Sequence, residues 1–203
     1  DFEHPVLDRT TLPGLFADTT ERNADRPAQA YKGGVYDRAL VPGVLDAAPA
    51  GEFRTLSYAR LRAVVERLAW GFRSLGVSPG DRVAVFADTR MEWAQCDFAL
   101  LAAGAVVVTV YPRSSPAQVA RLVTDSGATG VVLDGSKARD ALREAADEAD
   151  LDLSFVVAMD DVAGTTGLDE VYDRGSGADT DGPWVASDAA RDPGDLARLI
   201  YTS

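Results

Sequence analysis

Between residues 82 and 160 the chain returns four times to a short apolar run of strand length: RVAVFA, AVVVTV, TGVVLD and LSFVVAMD. The segments between these runs have helical signatures. RMEWAQCDFALLAAG closes at Gly104. SSPAQVARLVTDSG carries Ser115 as a helix cap, Pro116 at the first helical position and Gly127 as a left-handed stop, and SKARDALREAADEA is helical too. Strands separated by helices in this way pair in parallel through right-handed crossovers, which lays helices over both faces of the sheet. Strands near 83–86, 105–110, 129–133 and 154–158 therefore predict an α/β fold with a doubly wound, mostly parallel sheet.

On the N-terminal side, LPGLFADTTERNADRPA predicts an amphipathic helix from about Leu12 to Asn23, closed ahead of Pro27 because a residue preceding proline avoids the helical region. Residues 32–54 are rich in Gly and Pro and read as a loop-rich insertion with pieces of strand. Ser57 caps a helix in which Leu61, Val64, Val65, Leu68, Ala69 and Phe72 recur at steps of three and four, and Gly76 is its stop. Towards the other end, residues 173–195 become Gly- and Asp-rich and read as a linker before a last strand at 197–202.

Composition narrows the function classes. With 46% hydrophobic and 26% charged residues, the 203-residue chain is globular in type and long enough to bury a substantial core. Its charge is one-sided: 32 acidic against 20 basic residues give −12, and Lys32 and Lys137 are the only lysines. Binding to nucleic acid or anionic lipid needs clustered Lys or Arg, so neither is expected. An acidic, Lys-poor surface suits a cytoplasm of very high salt, where self-repulsion is screened, and a halophilic source is the expectation. The single cysteine, Cys96, leaves no intramolecular disulfide or Cys-based metal cluster and fits a reducing cytoplasm. It lies at helical spacing from Trp93 and Leu100, where packing is its expected role. The N-terminus has no basic apolar leader, and the lack of Met implies a trimmed start. The longest uncharged stretch, 98–112, is shorter than the roughly 20 apolar residues of a membrane helix and contains Gly104, so no transmembrane span is expected.

Four features invite a chemical reading. AGTTG, at 163–167, follows a strand and precedes a helical LDEVY, the layout of a phosphate loop, but no Lys follows closely and an ordinary Gly-Thr turn is the better reading. GADTDG, at 177–182, has the flavour of a calcium loop, yet Gly177 stands where the first acidic ligand is needed and no Glu closes it. His4, the only histidine, lies near a terminus and leaves no His-based triad or zinc site. The last stretch is IYTS, an apolar strand handing over to Thr202 and Ser203. On spacing alone it fits a phosphate site, and it equally fits a buried strand capped by polar residues.

The order and wording of these segments resemble the adenylate-forming enzymes, the superfamily of acyl-CoA synthetases, luciferases and peptide-synthetase adenylation domains. DLARLIYTS is similar to the opening of that family's phosphate loop, which continues Gly-Thr-Thr-Gly, any residue, Pro-Lys-Gly. The run from LSYARLRAV to TGVVLD resembles the family's N-terminal region nearly end to end, and the resemblance covers residues 12–160 and 195–203. EWAQCDFALLAAGAVVVTVYPRSS is most similar to long-chain fatty acid–CoA ligases, which carry Tyr-Pro-Thr-Ser-Ser there; Arg113 departs from that Thr, as in medium-chain relatives.

The resemblance implies part of the large N-terminal domain of an enzyme that uses ATP, Mg²⁺ and coenzyme A to convert a fatty acid into its thioester through an acyl-adenylate. Thr202 and Ser203 match the loop's first two hydroxyl residues, which implies a role in binding the β- and γ-phosphates or their metal. No catalytic residue or metal ligand carries over. The loop's glycines and Lys, the adenine-binding aromatic, the Mg²⁺-binding Glu, the acyl tunnel and the mobile C-terminal domain would follow Ser203. The expectation is thus the beginning of a longer ligase, interrupted inside the loop, inactive alone and prone to self-association through uncovered sheet edges. A non-catalytic doubly wound binding or interaction module is the alternative.

Overall fold

The computed structural model describes residues 11–35, 40, 44–177 and 192–202. His4, Ser203, nearly all of the GADTDG stretch and most of the Gly/Asp-rich segment before the last strand lie outside the described residues.

Helix α1 (Leu12–Arg22) starts where the Thr11 side chain accepts a hydrogen bond from the Gly14 N–H at 3.2 Å. It buries Phe16 and Ala17, and Phe16 stacks on Phe98 with ring centres 4.4 Å apart. The strand pieces expected around 32–54 are resolved into an antiparallel hairpin of β1 (Pro27–Lys32) and β2 (Phe53–Ser57), so the intervening loop is an excursion between two paired strands. Helix α2 (Tyr58–Ser74) follows directly, with the Ser57 hydroxyl accepting from the Arg60 N–H and Gly76 taking φ +100° just past its end. Leu61, Val64, Val65, Leu68, Ala69 and Phe72 all face the core. Full burial of each larger apolar side chain contributes about 1.5–3 kcal/mol.

The recurring unit then unfolds as its sequence dictates: β3 (Arg82–Phe86), α3 (Met91–Ala103), β4 (Val106–Val110), α4 (Pro116–Ser126), β5 (Gly130–Leu133), α5 (Ser136–Ala149) and β6 (Phe155–Ala158). Gly104 and Gly127 end α3 and α4 in the left-handed conformation. Ser115 caps α4 with a reciprocal partner that the sequence reading did not single out, Gln118, whose side chain accepts from the Ser115 N–H at 2.8 Å. A two-residue strand, β7 (Thr166–Gly167), leads into α6 (Leu168–Arg174), and β8 (Arg198–Ile200) completes the described elements. The start of the supposed 173–195 linker is helical: α6 runs to Arg174 and a 3₁₀ turn occupies Gly175–Gly177.

The main sheet is six-stranded, in the order β7-β6-β5-β3-β4-β8, and every pairing in it is parallel. Side-chain alternation splits the core between its two faces. Val83, Val85, Val107, Val132 and Val157 pack with α1, α2, α3 and α6, whereas Ala84, Phe86, Val108, Val110, Val131 and Leu133 pack with α4 and α5. Both faces are covered, which is why the strands are continuous apolar runs. Gly71 sets the fit of α2 on α6, because a Cβ there would lie 1.9 Å from the Val171 carbonyl oxygen.

Candidate functional site

Open parallel sheets bind ligands outside the carboxyl ends of their strands, most readily where the strand order reverses. Here the chain passes from β3 to β4 on one side, then crosses back over β3 to β5, so the reversal lies between β3 and β5. The residues just beyond those strand ends form a polar group. Asp134, after β5, accepts from the Asp88 N–H, after β3, at 2.8 Å. Arg90 bonds Glu92 at 3.0 Å and Asp160, beyond β6, at 2.8 Å. The side chains of Arg90 and Glu92 are 2% and 0% exposed. Burial pushes the Arg90 pKa down, but Glu92 and Asp160 outweigh it and leave the guanidinium above its ordinary value. Asp160 is raised, because burial outweighs the help from Arg90. This cation is committed to two carboxylates, so the group braces three strand ends and offers no free charge to a phosphate.

One strand further along the same edge, beyond β4, is the end of β8. Thr202 follows it, exposed, at the carboxyl end of a parallel strand, the position from which a loop can present hydroxyls and amides to an anion. Its sequence neighbour Ser203 lies outside the described residues. Both flanks of the strand are tied to helices. Arg198 Nη2 donates to both oxygens of Asp97 on α3, at 2.7 and 2.6 Å, and Tyr201 donates to Asp125 on α4 at 2.7 Å. Burial raises the Asp97 pKa against the pull of Arg198, and Tyr201 is raised by desolvation and by Asp125.

The remaining candidates resolve plainly. In AGTTG, the Thr165 hydroxyl donates to the Val162 carbonyl at 2.8 Å and Gly164 takes φ +81°, a turn that feeds β7 and a seven-residue helix. Cys96 is fully buried in the core under α3, and burial pushes its thiol well above the ordinary range, so it packs. Among the described residues no cluster of His, Cys, Asp and Glu is arranged to hold a metal ion, and no helix is long and apolar enough to cross a membrane. The Arg90 and Asp97 partnerships were absent from the sequence reading. Their available signal is a charged residue inside an otherwise apolar helix: Glu92 and Asp97 interrupt MEWAQCDFALLAA, whose side chains are nearly all buried.

The model of the AMP-binding enzyme family matches residues 16–203. The chain belongs to that family. Among curated relatives, a long-chain-fatty-acid–CoA ligase of Mycobacterium tuberculosis is 39% identical over 139 residues, covering 68% of this chain and 23% of the relative. Surfactin synthase subunit 2 of Bacillus subtilis is 30% identical over 124 residues, covering 61% of this chain and 3% of the relative. Among solved structures, a fatty acyl CoA synthetase of Mycobacterium tuberculosis superposes with a TM-score of 0.65 at 20% identity, over 96% of this chain and 33% of that one. The chain thus spans about a quarter of the ligase relative, and its fold is that of the N-terminal domain of adenylate-forming enzymes. Thr202 and the β3/β5 group lie on the same carboxyl edge of the sheet.

Proposed function

We propose that this chain is the N-terminal part of an ATP-dependent long-chain fatty acid–CoA ligase working in a cytoplasm of high salt. The observation that carries the reading is the family match over residues 16–203, which takes in β8 and the residues after it, together with the 39% identity to a long-chain ligase.

In this reading a fatty-acid carboxylate oxygen attacks the α-phosphorus of ATP, and pyrophosphate leaves. The coenzyme A sulfur then attacks the acyl carbonyl, the bond to AMP breaks, and the thioester forms. Both steps develop charge on phosphate oxygens, so preorganised donors contribute most of what a loop at this edge can contribute. Thr202 and Ser203 supply the first hydroxyls of that loop and hold the β- and γ-phosphates. The described residues offer no grouped carboxylates for Mg²⁺, so its ligands are sought elsewhere in the ligase and no step is routed through it.

Residues 1–203 alone supply two hydroxyls but neither a glycine nest nor a lysine after them. Loss of one well-placed transition-state donor costs about 10²–10³ in rate, and several are missing together. Fatty-acid-dependent ATP–pyrophosphate exchange, measured in molar KCl with Mg²⁺, is expected from the full-length polypeptide and not from residues 1–203. An inactive full-length protein refutes the ligase assignment, and substantial exchange by the short chain refutes its dependence on the rest of the loop.

A further inference from the structure

We propose that the two side-chain tethers on β8, Arg198 to Asp97 and Tyr201 to Asp125, set the strand's register so that Thr202 is delivered to the nucleotide phosphates, which makes Asp97 and Asp125 positioning residues for ATP. The proposal rests on the ligase reading above.

Strand β8 is short and stands at the edge of the described sheet. Among the described residues it pairs only with β4, at Val107↔Arg198, Val108↔Leu199 and Thr109↔Ile200. Three pairs specify a register weakly, and a slip of one residue turns every side chain to the opposite face while moving the strand end by about 3.3 Å. Such a shift is large for a phosphate site, where about 1 Å of misplacement already lowers rates substantially.

The tethers oppose that slip from both sides. Arg198 and Tyr201 are three residues apart, so they point to opposite faces. Arg198 reaches α3, where its guanidinium grips both oxygens of Asp97 and lies 6.0 Å from the Trp93 ring. Tyr201 reaches α4, where Asp125 accepts from its hydroxyl, and Leu199 packs against the same face. A one-residue slip turns Arg198 and Tyr201 away from the helices that hold their partners. Thr202 is covalently next to Tyr201, so the anchored phenol and the first loop hydroxyl belong to adjacent residues. The side chain of Asp97 is 6% exposed, which makes its pairing with Arg198 obligatory in the fold. Asp125 lies at the exposed end of its helix, so its substitution leaves the core intact.

The test uses the full-length protein with Asp125→Ala, Tyr201→Phe, their double variant and Asp125→Asn. Steady-state kinetics give KM for ATP, fatty acid and coenzyme A separately, and hydrogen exchange reports the amides of residues 198–202. Each single variant is expected to raise KM for ATP about three- to tenfold, the range for losing one partly exposed charge-assisted hydrogen bond, with the other two KM values unchanged. Exchange at 198–202 should quicken in the same variants. The double variant should be no worse than either single, and Asp125→Asn, which keeps an accepting oxygen, should restore KM for ATP. Unchanged KM for ATP in both singles, or a double variant whose effects add, overturns the proposal, as does unaltered exchange in an active enzyme. If the wild-type protein shows no carboxylate-dependent exchange of pyrophosphate while hydrogen exchange responds as stated, the ligase reading falls and the tethers stand.

Discussion

Replacing Arg90 by Met removes the guanidinium that bonds Glu92 and Asp160 at the β3, β5 and β6 ends and puts an apolar side chain beside Glu92, at 0% side-chain exposure. Arg90 bonds Glu92 at 3.0 Å and Asp160 at 2.8 Å. Breaking a buried pair by removing one partner costs about 3–5 kcal/mol, because the remaining charge is stranded in low dielectric. Against the 5–15 kcal/mol that typically separates folded from unfolded states, such a loss is severe. For a protein of this size it lowers Tm by roughly 6–20 °C, at about 2–4 °C per kcal/mol.

One further signature separates this cause from simple loss of packing. Exchanging both partners, as in Arg90→Met with Glu92→Leu, strands no charge at position 92 and should cost less than Arg90→Met alone. Urea denaturation in molar KCl, followed by Trp fluorescence and far-UV circular dichroism at pH 7.5, measures both losses. A loss below 1 kcal/mol for Arg90→Met, or a double variant worse than the single, would refute the reasoning.

Asp97 has a folded pKa raised by burial, so its contribution to stability is fully present below its unfolded pKa and is lost as pH rises through the folded value. Asp97→Asn should therefore compare better with wild type at neutral pH than in the acid range, and a difference independent of pH in paired denaturation curves counts against this. With 24 Asp and 8 Glu on the chain, the melting midpoint should rise between dilute buffer and molar KCl, and an unchanged or falling midpoint argues against a halophilic protein. Ile200 is 63% exposed on β8 and Leu196 is 48% exposed just before it, so residues 1–203 should self-associate, with Ile200→Lys suppressing the effect. Light scattering across a concentration series checks this, and a monomer at every concentration refutes it.

The fold was legible because its determinants are local and repeated. Ser57 and Ser115 cap, Gly104 and Gly127 stop, and the apolar runs between them have strand length, so each element announces itself within a dozen residues. Parallel pairing then follows from connection length. The misses share one physical character, which is dependence on distant residues. Strand β7 is two residues long and exists only because Val157 and Ala158 pair with it. The hairpin of β1 and β2 joins strands separated by a long loop, so neither half carries a turn signal for the other. Gly71 looks like a helix defect until α6 arrives at the Val171 carbonyl.

The candidate site divides along the same line. Thr202 and Ser203 were reached through resemblance, since hydroxyls after an apolar run are ambiguous by themselves; Thr202, the described one of the pair, follows β8 at the carboxyl edge of the sheet. The bonds that tie this stretch to α3 and α4 were not reached at all. Arg198 finds Asp97 across 101 residues of sequence and Tyr201 finds Asp125 across 76, distances over which no periodicity carries information. The one local hint is energetic: a carboxylate in the middle of a helix as apolar as α3 needs a cation, and the chain has few that can come close. Once β8 is known to lie beside β4, on the α3 side of the sheet, Arg198 is the cation whose strand parity faces that helix, so the pairing follows from topology even though it could not be read from sequence.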